Sequence, residues 1–113
     1  MPFPHSDFDA LSTQVASLLA PAGFEPGEME RNSAFGSHFS NFANGARLYR
    51  LVWDGKESWL LVQYCDNFQG VGCSSWNDVA IFRAGRERSS KELASLGVQV
   101  VEALRNHLSS YAA

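Results

Sequence analysis

The chain predicts an α+β domain: an antiparallel meander sheet of four or five strands, with an N-terminal and a C-terminal helix packed against it. Three observations lead there. Helical apolar spacing is confined to the two ends of the chain, at Phe8, Leu11, Val15, Leu18 and Leu19 and again at Leu93, Leu96, Val100, Val101, Leu104 and Leu108. The middle of the chain instead alternates with a period of two. Asn44-Gly45 and Asp54-Gly55 stand between the alternating runs, and both pairs suit tight turns joining antiparallel strands.

The first helix is expected from about Ser6 to Ala20. Ser6 is placed to cap it, and Asp7 and Asp9 suit the positive end of its dipole. "APAGF" ends it, because Pro21 cannot continue the hydrogen-bond ladder and Gly23 readily turns the chain. "FEPGEMER" follows as a first strand whose Pro26 and Gly27 suit an edge or a bend. "SAFGSHFSNFA" puts Phe35 and Phe39 on one face and Phe42 on the other, with His38 on the Phe42 side. Asn44-Gly45 is then expected to supply both positive-φ residues of a type I′ turn.

In "ARLYRLVWD", Leu48 and Val52 point one way with Arg50 between them, while Tyr49, Leu51 and Trp53 point the other. In "ESWLLVQYC", Leu60, Val62 and Tyr64 oppose Trp59 and Leu61. "WNDVAIFR" supplies a fifth strand. Ser89 and Glu92 form a capping box before the last helix. Gly97 lies on that helix's apolar stripe, where glycine costs about 1 kcal/mol against alanine; a close approach to the sheet is the expected reason.

Neither face of this sheet is cleanly polar. One face meets the helices, and the other then carries more apolar area than a solvated antiparallel sheet normally shows. A helix on each face, a second subunit or a partner would cover it.

Composition narrows the function classes. The 113 residues make one domain, 1–113, and 45% hydrophobic with 19% charged is ordinary for a globular chain. A formal charge of −3 argues against a nucleic-acid partner, which needs a basic stripe. No apolar run approaches the roughly 20 residues of a membrane span. "MPFPHSDFDA" lacks the basic and apolar regions of a secretory leader, so a cytoplasmic location is expected. Cys65 and Cys73 are accordingly expected as free thiols, although a regulatory disulfide is open if their loop folds back. Charge is uneven: residues 1–30 hold five acids and no Lys or Arg, whereas 83–91 hold Arg83, Arg86, Arg88 and Lys91 against Glu87. That reads as a surface asymmetry.

The loop "YCDNFQGVGCSSW" connects the last two strands. The spacing of Cys65 and Cys73 matches no zinc or thioredoxin motif, so no metal is expected. Gly70 and Gly72 belong to no phosphate-cradling pattern and no helix follows them. A long loop with aromatic borders suits contact with a partner. No nucleophile–base–orienter motif is present, and His5, His38 and His107 do not assemble one. The sequence therefore nominates no catalytic residue and no cofactor.

Two sets of binding residues stand out. Trp53, Trp59, Tyr64, Phe68 and Trp76 form an aromatic set of the kind that dominates protein interfaces, although strand-spaced aromatics are also common core. Arg83, Arg86 and Arg88 lead into a capped helix start, where free N–H groups favour an anion. With His38 and Arg50 they would serve an anionic small molecule between sheet and helix.

Residues 35–63, "FGSHFSNFANGARLYRLVWDGKESWLLVQ", with a helix and "GF" before them and "WNDVAIF" after, resemble a loose class of small bacterial proteins. These share a helix, an antiparallel meander and a closing helix, and some look like immunity proteins that neutralise a toxin. The likeness covers about half of the chain and carries over no functional residue. Where the class has arginine in its turn, this chain has the lysine of "WDGKESW". The two-sided apolar alternation and the lack of a reactive constellation point to a non-catalytic protein-binding module acting through an aromatic sheet face and the 65–76 loop, either pairing with itself or binding another protein; the resemblance adds an immunity or regulatory type. The alternative from the residues is a protein, enzymatic or not, with a pocket for an anionic ligand.

Overall fold

Helix α1 (His5–Leu19) ends where Pro21 denies its ladder a further N–H, and a 3-10 turn, Ala20–Ala22, follows. Gly23 then adopts φ +88°, its N–H donates to the Ala20 carbonyl at 2.9 Å, and Phe24 N–H reaches the Leu19 carbonyl at 3.1 Å. This pair of bonds is a Schellman cap, whose usual apolar contact is supplied by Leu19 and Phe24, both in the core. The computed structural model describes residues 5–32, 37–45, 47–55, 59–65, 76–83 and 90–112. The expected features on Phe35, Phe68, Gly70, Gly72, Cys73, Arg86, Arg88 and Ser89 lie outside them. Ser6, expected as the cap, falls inside the first helical turn.

Five strands follow in a meander: β1 (Glu25–Asn32), β2 (Ser37–Asn44), β3 (Arg47–Asp54), β4 (Trp59–Cys65) and β5 (Asn77–Arg83). They are antiparallel and sit side by side in sequence order, so β1 and β5 are the edges. The β1–β2 register slips between Pro26 and Met29, which puts the bend at the expected Pro-Gly. Helix α2 (Ser90–Ala112) closes the chain. The fold class expected from the sequence is the one observed.

The β2–β3 turn differs by one residue from expectation. Asn44 pairs with Arg47 across the ladder, so Gly45, at φ +58°, takes the first central position and Asn44 remains in the strand. Its side chain does something else: Nδ2 donates to the Ala22 carbonyl at 3.0 Å, tying the hairpin to the end of α1.

Register decides what faces the helices. Three rows cross the inner face: His38–Trp53–Leu60–Phe82, Ser40–Leu51–Val62–Ala80, and Phe42–Tyr49–Tyr64. Phe8, Leu11, Val15 and Leu19 of α1 and Leu96, Val100 and Leu104 of α2 pack on them as one core. Both helices therefore lie on the same side. Ser12 and Ser40 bond across the α1–sheet seam at 2.8 Å, which satisfies two buried hydroxyls at once.

Gly97 corrects a second expectation. It is buried against Gln14 of α1, so it serves helix–helix contact and not approach to the sheet. A Cβ there would meet only the flexible end of the Gln14 side chain, whereas one on Gly23 would meet Asn44 Nδ2 at 2.8 Å in a left-handed backbone. The two glycines should respond oppositely to alanine. Gly23→Ala is expected to lower stability by about 1–2 kcal/mol. Gly97→Ala should leave stability unchanged or raise it by up to about 1 kcal/mol through helix propensity. Urea unfolding of the two variants checks both signs.

Candidate functional site

The alternation that fills the inner face leaves a second set of rows on the opposite side. Phe39, Val52, Leu61 and Ile81 fall in register across β2 to β5 and make one apolar stripe over the outer face. Phe39, Val52 and Leu61 are part-buried by their neighbours; Ile81, at the β5 edge, is 46% exposed. Neither helix reaches this side.

Beside the stripe runs a polar row, Asn41–Arg50–Gln63–Asp78. Arg50 donates through Nε to Gln63 Oε1 at 3.0 Å and through its terminal nitrogen to the same oxygen, and Gln63 Nε2 donates to Asp78 Oδ1 at 3.0 Å. The Arg50 guanidinium also lies 4.0 Å from the centre of the Trp76 ring. Burial in this sandwich pushes its pKa below the usual value. On the other flank, Asp54, Trp59 and Arg83 form a third row, with Arg83 5.7 Å from the Trp59 ring centre. The stripe is thus bordered by an ordered charge–amide ladder and by a Trp–Arg pair, an apolar centre with a polar rim.

At the far end of this face Leu48 and Cys65 pair, 5% and 4% exposed. Cys65 is disulfide-bonded, which corrects the expectation of a free thiol.

The aromatic set expected at an interface is divided by strand parity. Trp53 and Tyr64 face the helices, 1% and 2% exposed, and belong to the core. Trp59 and Trp76 stand on the outer side and border the stripe. The stripe itself, Phe39, Val52, Leu61 and Ile81, was absent from that set, although the alternation of each strand marks it. The anion set is divided too: His38 is on the inner face, 5.3 Å from the Phe8 ring, while Arg50 and Arg83 are on the outer one. A cleft of about 370 Å³ does open between α1 and the β1–β2 edge, but its charged lining residue is Asp9. A second, of about 630 Å³, lies between the helices beside Gly97 and includes Glu102 and Arg105. Among the described residues no cluster of His, Cys, Asp or Glu could hold a metal ion, and no helix is long and apolar enough to cross a membrane.

One further cluster joins α2 to the sheet. His107 Nδ1 lies 2.7 Å from the Tyr49 hydroxyl, its ring packs 4.8 Å from that of Tyr64, and Arg47 Nε donates to the Tyr64 hydroxyl at 3.2 Å. Arg47 also covers Phe24 at 5.3 Å. Burial, aided by the charge of Arg47, lowers the His107 pKa from 6.5, so the neutral ring is the one that fits. The sign follows from linkage: the unfolded chain takes up this proton first, so His107's contribution is complete above about pH 6.5 and is lost as pH falls through the folded value. The urea midpoint should therefore drop between about pH 7 and pH 5 more steeply in the native chain than in His107→Gln.

No protein-family model, curated protein or solved structure matches the chain.

Proposed function

We propose that the protein is a non-catalytic binding module that engages a protein partner, of immunity or regulatory type, or a further copy of itself, through the outer face of its sheet. The observation that carries the reading is the apolar stripe Phe39–Val52–Leu61–Ile81 on the side away from both helices. An antiparallel sheet with one solvated face normally alternates apolar-in with polar-out. Here the outward positions of four adjacent strands are apolar in a single row, where Thr, Ser or Lys would serve a wetted surface equally well. Trp59 and Trp76 add rigid aromatic area at the border, held by Arg83 and Arg50 at little entropic cost on binding.

The titratable groups support the same reading over a catalytic one. His107 is committed to Tyr49, His38 lies under Phe8, and Arg50 is spent on Gln63 and Trp76. Each packs on or bonds to a structural neighbour, and among the described residues they do not converge on one opening.

Leu61→Lys places a charge in the centre of the stripe without touching the inner core. It should weaken association, with itself or with a partner captured from its host, by about tenfold or more. Phe39→Ser should act in the same direction. Val98→Lys, at a 62% exposed site on α2, should leave association unchanged. Isothermal titration or light scattering reads the effect, and retained near-ultraviolet circular dichroism shows that the fold is intact. Association equal to native in both stripe variants would defeat the proposal.

A further inference from the structure

We infer that β5 is a self-pairing edge, so that two copies of the chain join their sheets through antiparallel β5–β5 contact about a two-fold axis at Ile81. The inference goes beyond the reading of the outer face as a binding surface: edge pairing leaves that face open and joins the stripes of two copies into one.

The two edges of the sheet are unlike. β1 carries Pro26, which has no N–H to offer, and a register slip beside it; both features discourage strand addition. β5 contains no proline, and from Ala80 to Arg83 its pairing with β4 is regular. Among the described residues no strand pairs with its other side. Among the described residues, the exposed large apolar residue of the sheet is Ile81, on this edge at the end of the stripe. An edge of this kind is a template for another strand.

The sequence of β5 then selects a register. Residues opposite one another in an antiparallel pair must share a face, and a slip of one residue sets outward side chains against inward ones. With the axis at Ile81, this outward residue meets its own copy, and inward Ala80 meets inward Phe82, a small residue against a large one. The irregularity in the β4–β5 pairing between Val62 and Gln63 leaves Val79 as an extra residue that packs on the core beside Ala80, so these two together face Phe82 of the second copy and Asp78 falls opposite Arg83. Asp78 and Arg83 both lie on the outer side, opposed to Gln63 and Trp59. Each thus comes beside its opposite charge across the seam, twice by symmetry, within reach of a cross-strand pair. The apolar stripe becomes continuous through the seam, from Phe39 of one copy to Phe39 of the other.

Sedimentation equilibrium and light scattering on the full chain test this. The native protein should show twice the 12.4 kDa chain mass. Ile81→Lys and Arg83→Asp should each raise the dissociation constant by about tenfold or more, and Asp78→Arg combined with Arg83→Asp should recover most of that loss because both contacts are reversed together. Retained far- and near-ultraviolet circular dichroism of the monomeric variants excludes a folding defect. A strictly monomeric native chain overturns the self-pairing. So does a dimer indifferent to Ile81→Lys and the charge variants but dissociated by Leu61→Lys, which would mean that two sheet faces stack. A monomer that still binds a foreign partner, and loses it on Leu61→Lys, would remove the self-pairing while leaving the wider reading of the face in place.

Discussion

Two polar contacts, Ser12 to Ser40 at 2.8 Å and Tyr49 to His107 at 2.7 Å, fasten α1 and α2 to the same face of the sheet. Each joins groups that lose their water when the helices dock, so each would be costly to leave unmade. They can form on one face alone, because Ser40 and Tyr49 share the inward parity of β2 and β3. Apolar packing supplies most of the driving force for docking, through Phe8, Leu11, Val15, Leu96, Val100 and Leu104 against the inward aromatics. The polar pairs add selectivity: a helix rotated by one residue, or moved to the other side, would bury them unsatisfied.

This one-sidedness decides the character of the outer face. With both helices engaged, no element of the described structure remains to cover Phe39, Val52, Leu61 and Ile81. The chain has organised the border of the stripe, with Arg50 held by Gln63 and stacked on Trp76, and Gln63 held by Asp78. A guanidinium that is partly desolvated and already bonded gives up little hydration when a partner approaches. The ladder also pins the register of three strands on the face where the helices cannot. The rim is therefore held by a bonded ladder and a stacked ring, an arrangement that suits the proposed binding role.

Much of this was legible in the sequence because it depends on periods of two and 3.6. Tyr49, Leu51 and Trp53 against Leu48, Arg50 and Val52 is a pattern any strand must obey, and the two end stripes could belong only to helices. The unread parts depend on placement in three dimensions. Gly97 was assigned to the sheet because sequence shows that a glycine lies on a buried stripe, but not which neighbour it meets; Gln14 is 83 positions away. Asn44 looked like a turn residue because Asn-Gly is a strong local signal, yet its amide gains more by reaching Ala22 than by entering the left-handed region. His107 followed the same rule. It stands three residues beyond Leu104, on the helical face that meets Tyr49 and Tyr64, and only the docking of α2 gives it a partner.

The aromatic residues show how the same composition can serve opposite purposes. Trp53 and Trp59 lie six residues apart and flank one turn, and either could be a hot spot by type alone. Parity sends Trp53 into the core against Leu60 and His38, and Trp59 out beside Arg83. The covered corner at Leu48 and Cys65 applies the same logic at the other end of the outer face: Cys65 faces outward, yet it is disulfide-bonded and 4% exposed. That face is thus closed at the Cys65 end of β4 and open toward Ile81 at the β5 edge. Since structural disulfides persist in oxidising surroundings, the bond removes the cysteine argument for a reducing compartment.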